Sequence, residues 1–114
     1  MLKLYFLIIS ILLYMHVNAQ VITNYSSQDG LLDNFVNSIT VDINDNIWMG
    51  TIVGVCVYDP INDIWTMPLA VDSPDIPSDN IKIIKAMSNG DIWIGTDFGA
   101  SRFDGSNWET FTNL

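Results

Sequence analysis

The chain opens with one continuous apolar block and then changes pattern. Leu4 to Met15 is interrupted only by Ser10. Beyond Gln20, apolar residues come in short runs separated by Asn, Asp, Gly, Ser and Pro. No stretch there keeps a 3.6-residue apolar period for three turns, so amphipathic helices are not expected. The runs read as strands: Val36–Val41, Ile47–Thr51, Val55–Tyr58 and a fourth opening at Trp65, then Ile81–Met87, Ile92–Thr96, Ala100–Phe103 and a fourth opening at Trp108. Asn44-Asp45 and Asn89-Gly90 supply hairpin turns after the first run of each set. Gly54 and Gly99 mark the second turn, Asp59-Pro60 and Asp104-Gly105 the third. Ile47-Trp48-Met49 and Ile92-Trp93-Ile94 are apolar at consecutive positions, so both faces of those strands are expected to be buried.

The two sets of strands are copies of each other. Asn46-Ile47-Trp48-Met49-Gly50-Thr51-Ile52-Val53-Gly54 recurs 45 positions later as Asp91-Ile92-Trp93-Ile94-Gly95-Thr96-Asp97-Phe98-Gly99. Val36, Ile39 and Asn44 face Ile81, Ile84 and Asn89, and after a two-residue deletion Trp65-Thr66-Met67-Pro68 faces Trp108-Glu109-Thr110-Phe111. The tail of the repeat occurs a third time, ahead of the first full copy, as Ile22-Thr23-Asn24-Tyr25. A period of roughly 40–50 residues belongs to propellers or helical arrays, and the strand pattern selects the propeller. The expected fold is an all-β propeller fragment: two four-stranded antiparallel blades, residues 36–68 and 81–114, joined by 69–80. Residues 20–35 are read as a lone outer, closing strand with its connection.

The N-terminus bears on compartment. Lys3, the short apolar block and Val17-x-Ala19 fit a secretory signal, residues 1–19, cleaved between Ala19 and Gln20. The block is about 12 residues against the ~20 a spanning helix needs, so no membrane insertion is expected once the signal is removed. Removal leaves Lys82, Lys85 and Arg102 against all 13 acidic residues, a formal charge of −10. Nucleic acid and anionic membrane surfaces call for basic patches, so neither is an expected partner. Cys56 is the only cysteine, so no disulfide can form within the chain.

The motif Asn46–Asp59, and still more Asn89–Asp104, resembles the two-component regulator propeller repeat. The lead-in Pro77-Ser78-Asp79-Asn80-Ile81 and the trailing Trp108-Glu109-Thr110-Phe111 also fit. The resemblance implies a sensor propeller in the periplasmic part of a bacterial receptor, often a hybrid histidine kinase that senses carbohydrates, especially in Bacteroidetes. Other members are exported propellers without a kinase, which keeps an interaction scaffold as the alternative. The implied partners are a carbohydrate ligand, further propeller blades and a histidine kinase. Two departures stand out: Asp45-Asn46 replaces the usual Gly-containing turn, and Cys56-Val57 replaces the usual polar and basic pair.

Candidate chemistry is sparse. His16 falls in the expected signal, so the mature chain has no imidazole for Ser-His or Cys-His catalysis or for metal. Neither an enzyme nor a cofactor is expected. Asp42-Ile43-Asn44-Asp45-Asn46 begins a calcium-loop pattern, but Ile47 and Val53 occupy the glycine and bidentate-glutamate positions, so a hairpin is expected instead. Trp48, Gly50, Thr51, Gly54 and Trp65, with their copies Trp93, Gly95, Thr96, Gly99 and Trp108, recur in both repeats and are read as structural core. Ligand candidates are instead the positions that differ between copies in loops sharing one end of the blades: Ile52 and Val53 against Asp97 and Phe98. Cys56 is expected to be a small buried hydrophobe.

Overall fold

The computed structural model describes Lys3, residues 20–69 and residues 74–113. The apolar N-terminal block and Ala19 of the expected cleavage site lie outside the described residues. No helix among the described residues is long and apolar enough to cross a membrane.

Among the described residues eight strands form two four-stranded sheets. In the first blade β1 (Val36–Val41), β2 (Ile47–Thr51), β3 (Gly54–Asp59) and β4 (Ile64–Leu69) neighbour one another in chain order. In the second, β5 (Ile81–Ala86), β6 (Ile92–Thr96), β7 (Gly99–Phe103) and β8 (Trp108–Phe111) do the same. Every pairing is antiparallel. The registers coincide: Thr40, Trp48 and Val57 lie abreast in the first sheet, as Lys85, Trp93 and Arg102 do in the second. Both inner strands carry an irregularity at the same place, between Val36 and Ser38 and between Ile81 and Ile83.

Local chemistry sets the turns. The β1–β2 hairpin needs one residue with positive φ, supplied by Asp45 (φ 65°) in the first blade and Gly90 (φ 95°) in the second. Aspartate tolerates that region because its short side chain is polar, though glycine enters it at less cost. The Thr-x-x-Gly signature is a closed turn. Thr51 Oγ1 donates to the Gly54 carbonyl at 2.9 Å and accepts the Val53 N–H at 3.2 Å; Thr96 repeats both bonds with Gly99 and Phe98. Gly54 and Gly99 take φ of 128° and 139°, and a Cβ on either would meet a backbone carbonyl, of Leu69 or Phe111.

The blades stack face to face. Trp48, Val55, Val57 and Leu69 from the first form one core with Ile81, Ile84, Ile92 and Ile94 from the second, closed by Ile76 of the connection. Gly50 lets the sheets approach, because a side chain there would run into Ile81. The inner strands are also joined by polar bonds. Ser38 Oγ accepts the Ile84 N–H at 3.0 Å, Thr40 Oγ1 accepts the Ala86 N–H at 3.1 Å, and Asn37 Nδ2 donates to the Ile81 carbonyl at 2.8 Å.

The other face of the first blade carries Met49, Cys56 and Tyr58, covered by Leu31 with Leu32, Ile47 and Trp65 alongside. Leu31 and Leu32 sit 45 positions before Ile76 and Pro77, and Leu32 approaches Gly54 as Pro77 approaches Gly99, each at 3.3 Å from the position of an added Cβ. The segment before β1 therefore runs along its blade as the inter-blade connection runs along the next. Val21–Tyr25 forms no strand in this chain, although Tyr25 packs on Tyr58 and Trp65 with ring centroids 5.2 and 5.7 Å apart.

The expectation that β2 and β6 would both be covered on two faces needs correcting. Trp48 is 7% exposed, but Trp93, at the equivalent register position, is 37% exposed. Its face of the second blade also presents Ile83 and Phe111 to solvent, and among the described residues the Trp93 ring stacks on Phe111 at 5.7 Å. The cause is position: among the described residues no blade lies beyond β5–β8 on that side.

Candidate functional site

An antiparallel meander sends its turns alternately to two ends. One end gathers the β2–β3 and β6–β7 turns with the connections between blades; the other gathers the β1–β2, β3–β4, β5–β6 and β7–β8 turns.

At the first end stand the four positions singled out by their difference between copies. Ile52 and Val53 occupy the β2–β3 turn and Asp97 and Phe98 the β6–β7 turn. Ile52 and Phe98 are exposed, Phe98 to 71%. Asp97 forms an exposed ion pair with Lys82 at 3.6 Å. The Thr-Gly bonds hold the backbone of both turns, so these side chains are displayed on fixed supports.

At the opposite end the blades part around a cleft of about 340 Å³. The first blade contributes Asp42, Ile43, Asn44, Asn46 and Trp48; the second contributes Asn89, Gly90 and Ile92, then Phe103, Asp104 and Gly105. Asp42 organises one wall. Its Oδ1 accepts the N–H groups of Asn44 (2.8 Å) and Asn46 (3.0 Å), and its Oδ2 accepts Asn46 Nδ2 (3.2 Å) and the Trp48 indole N–H (2.8 Å). Partial burial pushes this carboxyl up, but the indole and the turn N–H groups together outweigh burial and hold it below the usual carboxylate range. On the other wall the N–H groups of Asn107 (2.7 Å) and Ser106 (2.8 Å) bond Asp104 Oδ1 and hold that carboxyl low as well. The ring of Phe103 lies 6.2 Å from that of Trp48, across the junction of the blades.

These bonds show what the Asp-x-Asn-x-Asn stretch does: its leading carboxylate serves its own hairpin and a tryptophan. No group of three or more potential metal ligands occurs among the described residues. Cys56 is fully buried, and burial pushes its thiol up, away from the reactive thiolate. The cleft is not legible in the sequence, where Asp42 reads as a turn residue and Trp48 as core. One signal was present: Asp42 corresponds to Met87 and Asn46 to Asp91, so this wall differs between copies as the opposite loops do.

Comparison with known proteins places the repeat. Residues 30–52 match the family model described as two component regulator propeller. Of solved structures, the chain is similar to the extracellular domain of a hybrid two-component system of B. thetaiotaomicron, at 28% identity and a TM-score of 0.69. That match covers 83% of this chain and 14% of the other, so the chain spans about a seventh of that structure's length. No curated protein matches. Residues 30–52 thus match a two component regulator propeller repeat, and the chain folds as two blades similar to part of that extracellular domain.

Proposed function

We propose that this chain is the N-terminal part of an exported, ligand-sensing propeller of a two-component receptor, and that the ligand is a glycan. The supporting observation is the blade pair itself: residues 30–52 match the two component regulator propeller model, and the pair is similar to part of the extracellular domain of a hybrid two-component system. Cleavage after Ala19 delivers the chain to the periplasm or the exterior. Val21–Tyr25 is the outer strand of a blade whose other strands lie elsewhere, and a histidine kinase reads the ligand across the membrane. Residues of the displayed turns, Ile52, Val53, Asp97 and Phe98, contact ligand or partner.

The open face of the second blade, with Trp93, Ile83 and Phe111, supports the second reading of an exported interaction scaffold. The nucleotide sequence past the Leu114 codon separates the two. A membrane helix followed by a histidine-kinase domain is expected; a stop codon or a secretion tail favours the scaffold. Glycan-dependent induction of a reporter under control of the complete receptor then tests sensing, and a reporter indifferent to every glycan supplied contradicts it.

A further inference from the structure

The cleft between the turn ends of the two blades is a second, differently built surface. Its polar groups are carboxylates and carboxamides: Asp42 and Asp104 with Asn44, Asn46 and Asn89. No lysine or arginine lines it. Its apolar lining is Ile43, Trp48, Ile92 and Phe103. The volume of about 340 Å³ lies at the low end of the ~300–1,000 Å³ typical of small-molecule sites.

Each feature narrows the occupant. Carboxylates and amide oxygens accept, while Asn44 donates and Asn46 and Asn89, each giving one side-chain N–H to Asp42 or Asp91, keep a second, which suits a ligand whose groups do both, as hydroxyls do. An anion is disfavoured by two ionised aspartates in a chain of net charge −9. A bare metal ion is disfavoured because no cluster of three ligating side chains exists among the described residues, and Asp42 already accepts four bonds. Ile43, which lines the cleft and is 64% exposed, adds apolar surface for the C–H groups of a sugar ring. The surface is also particular to this pair of blades. A packing requirement of the repeat would recur in both copies, yet Asp42 and Asn46 are replaced by Met87 and Asp91 in the second.

We infer that the inter-blade cleft bounded by Asp42, Asn44, Asn89, Phe103 and Asp104 is a subsite for an uncharged sugar ring. It rests on the glycan reading above and sharpens it in two respects: the ligand is neutral rather than uronic or sulfated, and it is held at the end of the blades opposite Ile52 and Phe98.

The test is a titration of the full chain, isotope-labelled, with xylohexaose, cellohexaose and mannohexaose, against hexagalacturonate and a heparin hexasaccharide, followed by NMR. At least one neutral hexasaccharide is expected to shift the Asn44 and Asn89 side-chain amides, the Trp48 indole N–H and the Gly105 amide, while both acidic ones leave them unmoved. Calorimetry on Asn44→Ala and Asp104→Asn should show affinity reduced about tenfold, through loss of a neutral hydrogen bond at Asn44 and of a charge-assisted one at Asp104. Asp104→Asn keeps an oxygen for the turn, so its spectrum outside the cleft should match the wild type. Neutral sugars that shift only residues 52–53 and 97–98 would overturn the cleft and leave the glycan reading standing. Acidic sugars shifting the cleft residues would overturn the neutral class. No shift with any of the five, on a chain whose spectrum shows the β-sheet dispersion of a folded protein, would overturn both.

Discussion

The hydroxyl of Thr40 accepts the backbone N–H of Ala86 at 3.1 Å, so a side chain of one blade takes the place of a strand partner for the next. Ser38 does the same for Ile84 one step along. The equivalents of Ser38 and Thr40 in the second blade are Ile83 and Lys85, which cannot repeat the bond in that form. Removing the hydroxyl while keeping the shape strands a partly buried amide, at a cost of about 1–3 kcal/mol. Thr40→Val should therefore lower unfolding free energy by roughly that amount, whereas Thr66→Val, on an exposed position of β4, should change it little. Equal effects from the two variants would show that the inner-strand bond does not couple the blades.

The Thr-x-x-Gly turn makes a sharper claim. Gly54→Ala and Gly99→Ala each force a Cβ onto a backbone carbonyl at positive φ and should cost about 2 kcal/mol or more. Gly105→Ala is the control, since its φ is also positive (100°) but nothing lies within 4 Å of an added Cβ. Chemical denaturation of the three variants gives the ranking. A Gly105 variant as damaged as the other two would mean that φ alone, and not the carbonyl contact, sets the glycine.

Asp45→Gly should move the other way. The residue sits at φ 65° where the second blade uses Gly90. Relief of the left-handed penalty, about 1–2 kcal/mol, exceeds glycine's extra entropy cost of about 0.5–1 kcal/mol, leaving a net gain of a few tenths to 1 kcal/mol. A midpoint in urea that falls on this substitution contradicts the turn assignment.

Much of this was legible beforehand, for identifiable reasons. The hairpin at Asn89-Gly90 and the Trp-x-Gly-Thr-x-x-Gly core are local features: each turn closes within a few residues, so its chemistry is written in adjacent positions. What was not legible depended on neighbours far along the chain. Trp48 and Trp93 have matching sequence surroundings, yet one is covered by Phe103 and the β5–β6 isoleucines, while the other stacks on Phe111 and stays 37% exposed. The cleft was missed for the same reason, since its walls come from turns some 45 and 60 residues apart that only the stacking of blades brings together.

Acid should weaken the first blade through Asp42. Its folded carboxyl lies below the ordinary value, so its contribution is present above the unfolded pKa of about 3.9 and is lost as pH falls through the folded value. Asp59 and Asp104, also held low by turn hydrogen bonds, act in the same window. The unfolding temperature is expected to be flat from pH 7 to about 5 and to fall below about 4. Asp42→Asn should be less stable at pH 7 and show a shallower acid fall. Parallel curves for the two proteins would remove Asp42 from the account.

The central claim is that these are propeller blades built to be covered on both faces, and self-association tests it most directly. With Trp93, Ile83 and Phe111 exposed on one face of the second blade, and Val21 and Ile22 exposed outside any strand, the chain from Gln20 to Leu114 offers an apolar sheet face and an exposed apolar segment, both of which promote association. Sedimentation velocity across a hundredfold concentration range, with thermal unfolding alongside, should show mass rising with concentration and a broad, low transition. A monodisperse monomer with a sharp cooperative transition would show that two blades suffice by themselves, and would contradict the account.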